Sequence, residues 1–174
     1  MDLLQLEIYT NRLLLQAISM KYKEEIFMEF NSKITTYMYT SPPKTIAETE
    51  ESINESLSDM KNGENLSFVI LKKDSLTFLG CAVIHNIKSN DPELGIWLKK
   101  SAHGNGYGLE TISALKTWAE ENLDFEALVY CADKANIPSC RIPEKLGGKV
   151  IRKYNKTNLS GKVLHIFEYI IPKN

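Results

Sequence analysis

The chain has 174 residues, 43% of them apolar and 25% charged, the make-up of one soluble globular domain large enough to bury a core. A net charge of −1 gives no support for a nucleic-acid partner, and no apolar run is long enough to cross a bilayer. The amino terminus lacks the basic stretch of a signal peptide, so a cytoplasmic protein acting without nucleic acid or membrane is expected. Cys81, Cys131 and Cys140 are an odd number of cysteines at wide spacing; they read as reduced thiols, and no metal is expected.

Arg12 to Gln16 reads as a first strand. From Met20 to about Asn31, Ile26, Phe27 and Phe30 recur at helical spacing, and Ser41-Pro42-Pro43 then breaks the chain. Thr45 to Lys61 is a second, polar helix with Ile46, Ile53, Leu57 and Met60 on one face, stopped by Asn62-Gly63. Leu66 to Leu71 and Leu76 to Ile84 are apolar runs joined by Lys72-Lys73-Asp74-Ser75, a hairpin. Glu93 to Leu98 is a further strand, and a helix from about Gly106 to Asn122 buries Leu109, Ile112, Leu115 and Ala119.

Phe125 to Cys131 is the next strand, so strand, helix and strand form a βαβ unit with parallel strands and a right-handed crossover. A short helix fits between Ile137 and Leu146, and strands near Gly148–Tyr154 and Val163–Ile171 close the chain. The expected fold is α+β in one domain spanning 1–174. Its mixed sheet has six to seven mostly antiparallel strands, one parallel pair and flanking helices.

The most informative stretch is Lys100 to Asn122, which includes the loop His103-Gly104-Asn105-Gly106-Tyr107-Gly108-Leu109. Glycine lets backbone approach a ligand, and the free N–H groups of Asn105 through Leu109 at a helix start make an anion site. A tight strand-to-helix connection without a ligand would use the same residues. The alternating glycines lack the G-x-G-x-x-G spacing of a dinucleotide fold, and no Gly-Lys-Ser/Thr follows for a P-loop.

These residues, taken together, resemble the GNAT superfamily of acyl-CoA N-acyltransferases, in the branch of the ribosomal-protein N-acetyltransferases. The superfamily loop reads Arg/Gln-x-x-Gly-x-Gly/Ala, and His103 stands where Arg or Gln is usual. Tyr9-Thr10-Asn11-Arg12-Leu13-Leu14-Leu15-Gln16 is similar to the branch's opening strand. Gly80 to Ile87 and Glu93 to Leu98 are similar to its central strands, and Asn136 to Gly147 to its Asn-x-x-Ser-x-Arg-Val-x-Glu-Lys-x-Gly-Phe signature. The match runs in order from about Thr10 to Tyr154.

The resemblance implies an acetyl-CoA-dependent transfer to a primary amine by direct attack. The pantetheine arm would lie between the splayed parallel strands against the backbone of Ile96, Trp97 and Leu98, and the pyrophosphate on the loop from His103 to Leu109. Asn136 would reach the cofactor from the far side; read locally, it is an N-cap. The family often forms homodimers.

Such a transfer needs a neutral amine, a stabilised carbonyl oxygen and help for the leaving thiolate. Glu93 is the first candidate base, with a solvated turn residue as its plain alternative; His85 competes with it. The family's donor tyrosine falls on Pro143, so Ser139 is the branch's substitute, unless it merely caps the helix. Glu110 should point away from a bound pyrophosphate, and Trp97 and Trp118 read as core. Cys140 has no histidine adjacent in sequence and is not read as a nucleophile.

Pro143 belongs either in a first helical turn or at a kink, and Gly148 replaces the customary phenylalanine. The acceptor remains open between a protein N-terminal amine and a small amine such as an aminoglycoside or polyamine. The acidic residues Glu48, Glu50, Glu51 and Glu55 bear on the second choice, although a solvated helix face explains them equally. A CoA-binding module with weakened chemistry is the alternative outside enzymology.

Overall fold

The computed structural model describes residues 2–174. Among the described residues, eight strands form one sheet in the order β1-β2-β3-β4-β5-β6-β8-β7, one more than the expected upper count. The extra strand is β1 (Glu7–Tyr9), three residues paired antiparallel with β2 (Leu13–Ala17). So short a segment carries no periodicity of its own. The central strands β3 (Leu66–Lys72) and β4 (Phe78–His85) form the expected hairpin, with a register shift between Ile70 and Leu71. Every residue of β3 from Leu66 to Leu71 is buried, so both faces of the sheet are covered there.

The expected first helix divides into a 3-10 turn at Met20–Tyr22 and α1 (Lys23–Glu29). The second, α2 (Ile46–Asn62), starts where Thr45 Oγ1 accepts from Glu48 N–H and Glu48 Oε2 accepts from Lys44 N–H. It ends on Gly63 in the left-handed region, with Glu64 N–H donating to the Asp59 carbonyl. Both helices pack on the β3–β4 part of the sheet.

The βαβ unit consists of β5 (Glu93–Leu98), α3 (Tyr107–Asn122) and β6 (Ala127–Asp133), and β5 and β6 are the parallel pair. Ile112, Leu115 and Ala119 of α3 are fully buried, as their spacing predicts, whereas Leu109 is only half-buried because it lies in the first turn of the helix. After α4 (Ile137–Lys145), β7 (Lys149–Thr157) and β8 (Val163–Pro172) form a closing hairpin, and β8 pairs with β6. The core is continuous across these elements and includes Phe68, Ile84, Leu94, Tyr130 and Tyr169. Among the described residues, no helix is long and apolar enough to cross a membrane.

Candidate active site

Only Glu93 with Val129 and Leu94 with Tyr130 are paired between β5 and β6. Beyond them the strands part, and the edge of β5 from Gly95 to Leu98 faces no strand on that side. The gap belongs to a cavity of about 760 Å³. One wall is β5, the glycine loop, α3 and α4; the other is the segment Lys33, Ile34, Tyr37 and Met38, which leads up to the Ser41-Pro42-Pro43 break.

The loop and α3 have the backbone geometry that the expected anion site requires. Gly104 and Gly106 both have φ of +77°. Gly106 occupies the N-cap position, where a left-handed backbone suits glycine and no side chain caps the helix. The first N–H groups of α3 therefore lack intrahelical partners, and the helix dipole adds positive potential at the cavity. Gly104, Gly106, Tyr107, Gly108 and Leu109 all line it.

Arg12 holds this loop in place from the start of β2. Its Nη1 donates to the Asn105 carbonyl at 3.0 Å, its guanidinium lies 4.6 Å from the Tyr107 ring centre, and its Nη2 is 2.7 Å from Glu110 Oε2. Thr10 Oγ1 also donates to Glu110, at 2.7 Å. Burial pushes the Glu110 carboxyl up, but the hydrogen bonds from Thr10 and Arg12 and the arginine charge outweigh it and hold it below its ordinary value. Glu110 is thus consumed in loop architecture, as its position predicts. Asn105, expected among the binding residues, faces its own loop: its Nδ2 donates to the carbonyls of Ala102 and His103.

Of the strand residues, Ile96, Trp97 and Leu98 line the cavity. The Trp97 ring itself packs at 4.9 Å from Phe30 and 5.9 Å from Phe78, in the core as expected. His103 Nε2 lies 2.8 Å from the Leu98 carbonyl oxygen. Because a carbonyl only accepts, that nitrogen carries the proton. One of the backbone groups assigned to an extended ligand is therefore already engaged by His103.

Across the gap, α4 presents Asn136, Ser139, Arg141 and Lys145 to the cavity. Asn136 occupies the N-cap position, yet its side chain makes no capping bond. Its amide has no hydrogen-bond partner among the described residues. The local capping role is thereby removed. Ser139 does not cap the helix with its side chain either: its Oγ is 2.9 Å from the Tyr130 hydroxyl. Pro143 sits in the last turn rather than in a first turn. There it removes only the N–H that would bond the Ser139 carbonyl, two residues before the helix ends. Gly148 has its own reason: a Cβ there would stand 2.7 Å from the Pro143 carbonyl oxygen, so phenylalanine does not fit.

The candidate bases lie elsewhere. Glu93 and His85 face each other in the β4–β5 register, and neither lines the cavity. Glu93 is half-buried and adjoins Cys131, whose thiol is pushed up to about 12 by burial and then by the Glu93 charge. The acidic residues of α2 are also absent from the cavity wall. Glu50 pairs with Lys23 at 2.6 Å, and Glu48 is used at the helix start. Among the described residues, no cluster of three or more His, Cys, Asp or Glu side chains is placed to hold a metal ion.

A family model described as an acetyltransferase (GNAT) domain matches residues 12–149. The chain belongs to the GNAT acetyltransferase family. It is an acyl-CoA-dependent acetyltransferase that acts on amines. No curated protein matches the sequence. Solved structures similar to this GNAT domain include a GNAT-family acetyltransferase from Bacillus anthracis, with 18% identity, 97% of this chain and 99% of that one covered, and a TM-score of 0.81. Spermidine N-acetyltransferase from Vibrio cholerae, in complex with CoA and spermine, has 16% identity, coverage of 94% and 97%, and a TM-score of 0.82. RimL, a ribosomal L7/L12 alpha-N-protein acetyltransferase in complex with coenzyme A, has 15% identity, coverage of 97% and 100%, and a TM-score of 0.83. At these identities the likeness establishes the fold.

Several residues of this GNAT site escape a linear reading. Tyr130 looks like any inward strand aromatic. The cations Lys33, Lys100, Arg141 and Lys145 come from separate segments and converge on the cavity only in the fold. Arg12 was visible in the opening motif, but nothing local announces a partner 98 positions away.

Proposed function

We propose that the protein transfers the acetyl group of acetyl-CoA to the α-amino group at a protein or peptide N-terminus. One observation carries this reading: the charged side chains lining the cavity, Lys33, Lys100, Arg141 and Lys145, are all cationic. Such a lining suits the phosphates of CoA and disfavours a polycationic acceptor. An α-amine also asks least of the enzyme, since its pKa of about 7.7–8.0 leaves a sizeable neutral fraction at neutral pH.

On this reading the N–H groups from Asn105 to Leu109 hold the pyrophosphate, with His103 fixing the loop against Leu98. The open edge of Ile96, Trp97 and Leu98 receives the pantetheine arm in β-fashion. Asn136 binds it from α4 with an otherwise unpartnered amide. The amine enters past Ile34, Tyr37 and Met38, and Glu93, at the closed end of the gap, accepts its proton through water. Ser139 faces the leaving sulfur. A dimer and a cytoplasmic location fit this reading and are part of the proposal.

Thiol release from acetyl-CoA, measured over peptides, aminoglycosides and polyamines beside a CoA binding titration, tests it. Turnover is expected with peptides, most with acidic residues after the first position, and not with spermidine. Binding without turnover on any amine would favour a CoA-binding module, and absence of CoA binding would sink the reading.

A further inference from the structure

The Tyr130 hydroxyl is buried, with the residue 2% exposed, and Ser139 Oγ at 2.9 Å is its only hydrogen-bond partner among the described residues. The direction of that bond follows from what each atom can do. If Ser139 donated, the phenolic hydrogen of Tyr130, a residue that itself lines the cavity, would have no acceptor among the described residues. With Tyr130 donating, both needs are met, and the serine hydrogen is free to turn into the cavity. Burial also pushes the Tyr130 hydroxyl up to about 12, so it remains a donor throughout the neutral range.

The pair has a telling position. Tyr130 is the residue of β6 opposite Leu94, at the last paired position before the strands part. The glycine loop lies beyond Leu98 at the other end of the gap, roughly 13 Å along the strand. A ligand with its pyrophosphate on the loop and its arm along β5 brings its far end, the sulfur, towards this pair.

We infer that Tyr130 is a positioning residue, which by donating to Ser139 Oγ aims the serine hydroxyl at the sulfur of CoA. This rests on the acetyl-CoA reading above. As the carbon–sulfur bond breaks, the electron pair stays on sulfur and the Ser139 hydroxyl donates a hydrogen bond to it. No proton leaves the serine, because an alcohol is a much weaker acid than a thiol. The amine nitrogen loses its proton through water to Glu93, as above. Tyr130 thereby supplies from the strand the phenol that Pro143 withholds from the helix.

The same hydrogen bond favours the thiolate of bound CoA, which is measurable without any acceptor. The protein is saturated with CoA and the thiolate ultraviolet absorbance followed against pH, with the CoA-free titration subtracted. Burial pushes Cys81, Cys131 and Cys140 up, which keeps the protein's own thiols out of the neutral range. Lys33, Lys100, Arg141 and Lys145, with His103, Tyr37 and Tyr107, also line the cavity; they are the same in every variant, so differences between variants isolate the pair. Tyr130→Phe and Ser139→Ala should each raise the thiol pKa of bound CoA by about one pH unit. Tyr130→Phe in the Ser139→Ala background should add nothing, since it acts through the serine. An unchanged thiol pKa in Ser139→Ala, with CoA still bound, overturns the inference whatever the Tyr130 variant does. An unchanged value in a folded Tyr130→Phe overturns it equally. Failure of the wild-type protein to bind CoA overturns the acetyl-CoA reading as well.

Discussion

Asn158 Nδ2 donates to the Met38 carbonyl at 3.3 Å, tying the tip of the β7–β8 hairpin to a wall of the cavity 120 positions away. Leu159 N–H donates to the Tyr39 carbonyl at 3.0 Å, and Lys162 Nζ to the Thr36 carbonyl at 3.1 Å. Lys156 and Lys162 lie over the rings of Tyr39 and Tyr37. Asn158 organises the tip, because its Oδ1 accepts from Ser160 N–H, Ser160 Oγ and Lys162 N–H.

Asn158→Ala should therefore cost about 1–3 kcal/mol, for it strands several polar groups at once. Hydrogen exchange should quicken at Thr36 to Tyr39 and stay slow in α3. Equal exchange in both proteins would mean that the hairpin does not hold the wall.

Glu110 should impose an acid limb on stability. Its folded pKa lies below its ordinary value of 4.5. The stabilisation is thus fully present above pH 4.5 and is lost as pH falls through the depressed folded value. Glu110→Gln should lower stability near neutrality by about 1–2 kcal/mol and flatten its decline below pH 4.5. Urea unfolding at neutral and acid pH measures both effects, and parallel pH curves for the two proteins would refute the assignment.

Gly148→Ala tests the close approach to the end of α4. The added methyl would meet the backbone carbonyl of Pro143 at 2.7 Å, which no side-chain rotation relieves. A loss of about 1–3 kcal/mol is expected in chemical denaturation. Gly147→Ala is a different case, since its cost comes from a φ of +80° rather than from a clash.

Gly106→Ala should act on the ligand as well as on the fold. A φ of +77° at the helix N-cap strains alanine by roughly 1 kcal/mol. Relaxing that strain would turn the loop's N–H groups away from a bound phosphate. The expected result is a modestly lower Tm together with at least several-fold weaker CoA binding by calorimetry. A stable variant with full affinity would remove Gly106 from the anion site.

What could be read from the chain and what could not divide by range. The glycine loop, α3 and the strand before it are local, so their spacing alone placed them together. Asn136 and Ser139 were singled out because a motif marks them, but the motif does not say what they touch. Tyr130 alternates with Leu128 and Ala132 as a core residue would. Only the packing of β6 against α4 brings its hydroxyl to Ser139. The Lys33–Met38 wall lay in a stretch with no periodicity, organised by a hairpin far along the chain. Acidity on α2 stayed undecided for a related reason: charge in sequence says nothing of which face of the domain a helix occupies.

The parting of β5 from β6 also bears on the mechanics of the whole molecule. Among the described residues, five strands stand on one side of that break and three on the other, and two residue pairs are the only ladder between them. A ligand bonded to the open edge of β5 and to Asn136 of α4 would span the break like a rivet. Saturation should then stiffen both halves together. By mass action, a hundredfold excess over Kd adds about 2.7 kcal/mol to unfolding, and the slowed hydrogen exchange should appear in β8 and the β7 strand beyond it, far from any contact with the ligand.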